Sequence, residues 1–166
     1  MKSLDSLFIH FLQDVYYAER QLLKAIPKMA KNAEAPALKE AFTAHLDETV
    51  HQVARLEQVF EQLGKAAKGV PCEAIKGLIE EAEEVIEATD PGPVRDAGLI
   101  ACGQAVEHYE MARYGALIAW AHAGGHSEII TLLQQTLDEE KTADKKLNDL
   151  AVKQINKRAS EFARAA

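Results

Sequence analysis

The stretch Ala44-His45-Leu46-Asp47-Glu48-Thr49-Val50-His51-Gln52-Val53 decides the fold. Leu46 and Val53 belong to an apolar stripe of helical period, and between them stand a carboxylate, Glu48, and three residues later an imidazole, His51. Positions three or four apart share a helix face. A carboxylate turned toward a core is costly unless it is paired or holds a cation. The Glu-x-x-His spacing therefore raises two questions: which other helices form the core, and whether they carry similar interruptions at the same height.

Reading outward, the segment from about Ala37 to Leu63 repeats Leu38, Phe42, Leu46, Val53, Leu56 and Phe60 at spacings of three and four, and Gly64 marks its stop. Before it, from about Ser3 to Lys31, Leu4, Phe8, Phe11, Val15, Leu22, Ile26 and Met29 form another stripe. Pro27 lies inside that stripe and should kink or loosen its last turn, because proline brings no N–H to the helix ladder. Asn32 to Pro36 reads as a turn. From Lys65 to Pro93 the breakers Gly69, Pro71, Gly77 and Asp90-Pro91-Gly92-Pro93 flank a short amphipathic piece, with Ile75, Leu78, Ile79, Ala82, Val85 and Ile86 inward. Its Glu80, Glu81, Glu83, Glu84 and Glu87 read as a solvated face. A third long segment, about Val94 to His122, carries Ala97, Ile100, Gln104, Met111, Tyr114 and Ile118, and Gly124-Gly125 ends it. The fourth begins near Ser127, read as its N-cap, and carries Ile130, Leu133, Leu137, Leu147 and Leu150 before a polar end through Lys157 and Arg158 that should fray. Two helical hairpins joined by one long connection define an all-α, ferritin-like four-helix bundle whose crossover carries an extra short helix. One domain over residues 1–166 suffices for a chain of this length.

Composition agrees. Hydrophobic residues make up 48% of the 166 positions and aromatics only 6%, with few glycines and prolines, as expected of helices. The net charge of -7 and the scatter of Lys and Arg argue against a nucleic-acid partner. Charges every few residues exclude a membrane span, and the start of the chain lacks the apolar run of a signal peptide, so a cytoplasmic location is expected. Cys72 and Cys102 form no Cys-x-x-Cys pair and are read as reduced structural thiols.

Each long helix has its own interruption. Glu19 falls between Val15 and Leu22; Glu48 and His51 between Leu46 and Val53; Glu107 and Glu110 between Gln104 and Met111; Glu140 and Asp144 between Leu137 and Leu147. All lie near mid-helix, and helices about 40 Å long packed side by side bring their midpoints to one layer. So much negative charge in one layer asks for hard divalent cations, and the set matches the carboxylate ligation of di-iron and di-manganese bundles. The plainer alternative is that these groups form exposed faces or buried pairs with Arg20, Lys24 or Arg113. His10, His122 and His126 read as surface or capping groups, and His108 points away from its neighbour Glu107. His45, one turn before Glu48, is placed to hydrogen-bond a ligand from behind. Tyr16 and Tyr114, one turn from Glu19 and Glu110, are core tyrosines able to donate to those carboxylates.

The segments Ala18-Glu19-Arg20-Gln21-Leu22, His45 to His51, Gly77 to Ala82, Glu107 to Gly115 and Leu137 to Lys141, with Phe8-Ile9-His10, resemble the YciF family of bacterial stress proteins over essentially the whole chain. The resemblance implies a ferritin-like bundle, a homodimer and a link to stress response, and no particular catalytic activity. The site also resembles that of rubrerythrins, which place two glutamates one turn apart as Glu107 and Glu110 are here. Where those proteins carry a histidine after the last glutamate, this chain has Asp144, and it lacks their electron-delivering Cys-x-x-Cys domain. The leading expectation is a site for two divalent ions, iron before manganese, that meets ferrous iron, dioxygen or peroxide. In it Glu19 and Glu140 are terminal ligands, Glu48 and Glu110 bridge, His51 supplies nitrogen, and Glu107 and Asp144 complete the set. Two such ions would stand about 3.5–4 Å apart. The competing class is a non-catalytic structural or interaction protein on the same bundle, acting through a dimer surface or the acidic crossover helix. A storage cage is a third.

Overall fold

The computed structural model describes residues 1–165. Its long helices are α1 (Leu4–Asn32), α2 (Pro36–Gln62), α4 (Pro93–Gly124) and α5 (Ser127–Leu150), and the crossover helix is α3 (Glu73–Ala88). A π-helical turn, Ala151–Ile155, continues α5 into α6 (Asn156–Ala165). In place of the fray expected at Lys157 and Arg158, the chain stays helical, because Ala151 and Ile155 are buried against the upper core.

Four packed pairs, α1 with α2, α2 with α5, α5 with α4 and α4 with α1, close a square of helices, and α3 lies across α4 and α1. Asp96, near the start of α4, fixes the direction. Its Oδ1 accepts the Glu34 N–H at 2.7 Å and its Oδ2 the Ala35 N–H at 2.9 Å, so one buried carboxylate caps the α1–α2 turn from the neighbouring hairpin. At the other end the C-terminal Gly124 lies beside Asp5 of α1, so α4 runs antiparallel to α1. The crossover thus carries the chain back to the end where α1 turns into α2. There α3 approaches α4 so closely that a Cβ on Gly98 would stand 2.6 Å from Val85 Cγ1.

The apolar core is divided in two. One cluster joins Leu22, Ile26, Leu38, Phe42, Leu99 and Leu147 with the inner face of α3; the other joins Phe8, Leu12, Leu56, Phe60, Tyr114 and Leu133. Between them lies a buried polar layer contributed by all four long helices. Helix α1 runs uninterrupted through Pro27, whose exposed position leaves the apolar stripe intact. Ser127 does not cap α5: it is the first helical residue and His126 occupies the cap position. The stripe of α4 is also turned from the expected one. Leu99, Gly103, Val106, Leu117 and Ala121 are buried, whereas Ala97, Gln104, Met111 and Ile118 lie at its margin. The many small residues of α4 blur its periodicity, and the shift places Glu107 and Glu110 well inside it.

Candidate metal centre

Glu19 of α1, His45 of α2, Glu107 and Glu110 of α4 and Glu140 of α5 are all buried in the layer that separates the two apolar clusters. Helical period brings them there: each replaces an apolar residue in its stripe, Glu19 between Val15 and Leu22, His45 between Phe42 and Thr49, Glu140 between Leu137 and Ala143. One ligand atom each of His45, Glu107, Glu110 and Glu140 lies within 4.8 Å of all the others. Glu19 adjoins this group through Glu110 and accepts the Tyr114 hydroxyl at Oε1, 2.5 Å away.

What these groups lack is as informative as what they have. Glu19 Oε2, His45 Nε2, Glu107 Oε2 and both carboxylate oxygens of Glu110 and of Glu140 are buried and have no hydrogen-bond partner in the protein. Buried polar atoms are nearly always satisfied, so a cluster of lone pairs facing one another needs a shared partner. Burial first, and the charge of Glu140 second, push the Glu19 and Glu107 carboxyls well above the ordinary carboxylate range. Burial and then Glu19 do the same to Glu110, and burial raises Glu140 against the pull of His45. Each ionised carboxylate held without a counter-charge costs several kcal/mol. Four of them would consume about the whole 5–15 kcal/mol stability of a domain. The layer must therefore be protonated or hold cations.

The imidazole is oriented for the second case. His45 Nδ1 lies 3.3 Å from Glu48 Oε2, and the Glu48 carboxyl, hydrogen-bonded from that ring, is held below its ordinary range. With the ring proton donated to Glu48, Nε2 presents its lone pair inward, 3.3 Å from Glu107 Oε1 and 3.8 Å from Glu140 Oε2. Carboxylates behind metal-bound histidines fix the tautomer in this manner.

The expected set is thus redistributed. Glu19, Glu107, Glu110 and Glu140 converge. Glu48, whose side chain is 44% exposed, stands at the rim and holds His45. His51 is exposed and outside the cluster, a correction that follows from helix geometry. At about 100° per residue, the buried stripe of α2 is centred near His45 and Thr49, with Glu48 about 60° off and His51 about 120° off. His45, expected behind a ligand, is the imidazole that faces the carboxylates. Asp144 is half-buried and outside the group of four, accepting from Gln104 Nε2 at 2.9 Å with His108 Nε2 at 3.3 Å, near enough for its charge to act on Glu107. Arg20, Lys24 and Arg113 do not neutralise the layer: Arg20 lies over the Tyr16 ring and Arg113 beside Asp14. Tyr16 donates to Glu57 rather than to Glu19. The cation that does enter the layer is Arg55, which the sequence did not single out. It is buried; its Nη1 donates to Thr136 Oγ1 at 2.5 Å and its Nη2 to both carboxylate oxygens of Glu139 at 2.6 and 2.8 Å, and Gln52 Nε2 also donates to Glu139. Its charge is thereby matched outside the cluster.

The molecule is thus a helical bundle with a buried carboxylate and histidine cluster at mid-height. The chain belongs to the DUF892 family, a domain of unknown function, whose model matches residues 3–160. It is 48% identical over 164 residues to Protein YciF of Escherichia coli strain K12, covering 98% of this chain and 99% of that protein. The crystal structure of the E. coli stress protein YciF superposes with a TM-score of 0.90 at 48% identity, covering 95% of this chain and 99% of that one. The structure of YcfI from Rhodopseudomonas palustris gives 0.86 at 50% identity, covering 89% and 94%. No helix among the described residues is long and apolar enough to cross a membrane.

Proposed function

We propose that the protein is a di-metal carboxylate protein acting in stress response, as the E. coli relative is described, with iron as its first metal and manganese its second. The observation that carries the reading is the convergence of unpartnered ligand atoms from His45, Glu107, Glu110, Glu140 and Glu19. Charge supports two ions: four carboxylates beside a neutral imidazole are balanced by two dications, and oxygen-rich ligands with one nitrogen suit iron and manganese. His45 would bind through Nε2, Glu110 and Glu140 offer two free oxygens each, and Glu19 and Glu107 offer one each. Such a pair of ions supplies redox chemistry toward dioxygen, peroxide or ferrous iron. The chain's own residues exclude bulk water above and below the site with two apolar clusters, and Tyr114 holds a proton against Glu19 Oε1.

Anaerobic titration of the apo-protein with ferrous iron, followed by peroxide addition, tests both parts. Saturable binding near two equivalents, then stoichiometric peroxide consumption, is expected. A second reading rests on the closeness of Glu19 to Glu110 and of Glu107 to Glu140. Such pairs can share protons, and the layer would then be a metal-free device of a structural protein. That reading predicts neither binding nor turnover.

A further inference from the structure

The cluster is sealed on three sides and opens on the fourth. Glu19, Glu110 and Tyr114 on the α1–α4 side are fully buried, with the two apolar clusters above and below. Between α2 and α5, by contrast, a cavity of about 70 Å³ is lined by His45 and Glu107 at its inner end and by Thr142 and Lys146 at the surface. Small side chains, Ala41, Ala44 and Ala143, leave the gap between the helices. The cavity adjoins a larger surface hollow of about 630 Å³, and Glu48 and Thr142 line both. That outer hollow carries Glu139, whose charge Arg55 matches, and Asp138, which accepts from Gln134 Nε2 at 2.9 Å with the exposed Lys141 3.6 Å away. The inner end presents His45 Nε2 and Glu107 Oε2, both buried and without a partner.

We propose that divalent cations reach the cluster sideways, between α2 and α5, met by Asp138 in the outer hollow and passed by Glu48 to His45 and Glu107. This rests on the reading of the cluster as a metal site and adds its route. Carboxylates in a concave surface raise the local cation concentration and the association rate, in a manner that salt screens. Each step inward offers one more ligand: oxygens at Asp138 and the half-exposed Glu48, then the oriented imidazole and the buried Glu107. A cation shedding water along this path is never left without donors. A route from either end of the bundle would cross an apolar cluster that offers none.

The test is stopped-flow uptake of Co2+ by the full-length apo-protein, read from the cobalt absorption band and from the final occupancy by elemental analysis. Thr142→Trp puts bulk where the hollow and the cavity meet, on an exposed position that need not disturb folding. Asp138→Lys reverses one charge of the hollow without touching the cluster. Lys24→Trp adds the same bulk to the exposed face of α1, on the sealed side. Thr142→Trp should slow uptake at least about tenfold at unchanged final occupancy, and Asp138→Lys should slow it several-fold and flatten its salt dependence. Lys24→Trp should load at the wild-type rate. Wild-type rates for both Thr142→Trp and Asp138→Lys would overturn the route while leaving the site intact, as would equal slowing by Lys24→Trp. A wild-type protein that takes up no cobalt would overturn the metal reading and the route together.

Discussion

His45 and His51 make the sharpest contrast among the residues of this site. Both stand one helical turn from Glu48, on opposite sides of it, and only His45 is turned into the layer. His45→Ala should weaken metal binding at least about tenfold, and Glu48→Gln, which removes the charge that orients the ring, by about 10- to 100-fold. His51→Ala should bind like the wild type. Competitive titration against a chelator of known affinity checks all three, and equal losses for the two histidine variants would contradict the geometry. Tyr114 makes a different kind of contribution. Burial and the adjacent Glu19 hold its phenol well above the ordinary range, so at neutral pH it is a hydrogen-bond donor. Tyr114→Phe leaves a buried carboxylate oxygen unpartnered and should destabilise the protein by about 1–3 kcal/mol in urea unfolding at neutral pH.

The elements were largely legible because four long helices, each with breakers at its ends, leave little choice of architecture. Glu19, Glu107, Glu110 and Glu140 were legible too, since a carboxylate inside an apolar stripe stands out at any helix rotation. The two histidines of α2 were not told apart. The Glu-x-x-His spacing points to His51, but at about 100° per residue the stripe of Leu38, Phe42, Leu46, Val53, Leu56 and Phe60 has its middle about 60° from His45 and nearly opposite His51. Spacing from Glu48 alone leaves open which side of the carboxylate faces the core, and only the projection of the whole stripe favours His45. Nor could the sequence point to Arg55 or Asp96, whose partners lie on other helices. Asp96 is the element-level test. Asp96→Ala leaves two N–H groups uncapped at the turn that starts α2, and a loss of about 1–3 kcal/mol is expected, read as a lower urea midpoint. Gly98→Ala should also destabilise by about 1–3 kcal/mol, despite the better helix propensity of alanine, because the new methyl meets Val85 across the α3–α4 contact.

At the scale of the whole molecule, the polar layer trades stability for a binding site, and pH shows the trade. In the unfolded chain the four carboxyls lose their protons near pH 4.5, whereas in the fold they keep them to higher pH. Between those two values the folded state binds more protons, so the apo-protein should lose stability as pH rises from about 4.5 toward the raised values. Below that window the contribution is fully present. Added metal should reverse the slope, because it binds the deprotonated ligands and competes with protons for them. Thermal melts from pH 5 to 8 with and without manganese read both slopes; parallel curves would contradict the account. Whether the layer holds two ions is read most simply from metal content per chain after expression in iron- and manganese-supplemented medium, for wild type beside the double variant Glu110→Gln, Glu140→Gln. Close to two ions per wild-type chain and almost none in the variant are expected, with the same helical circular dichroism in both. A folded wild-type protein that carries no metal would contradict the di-metal reading.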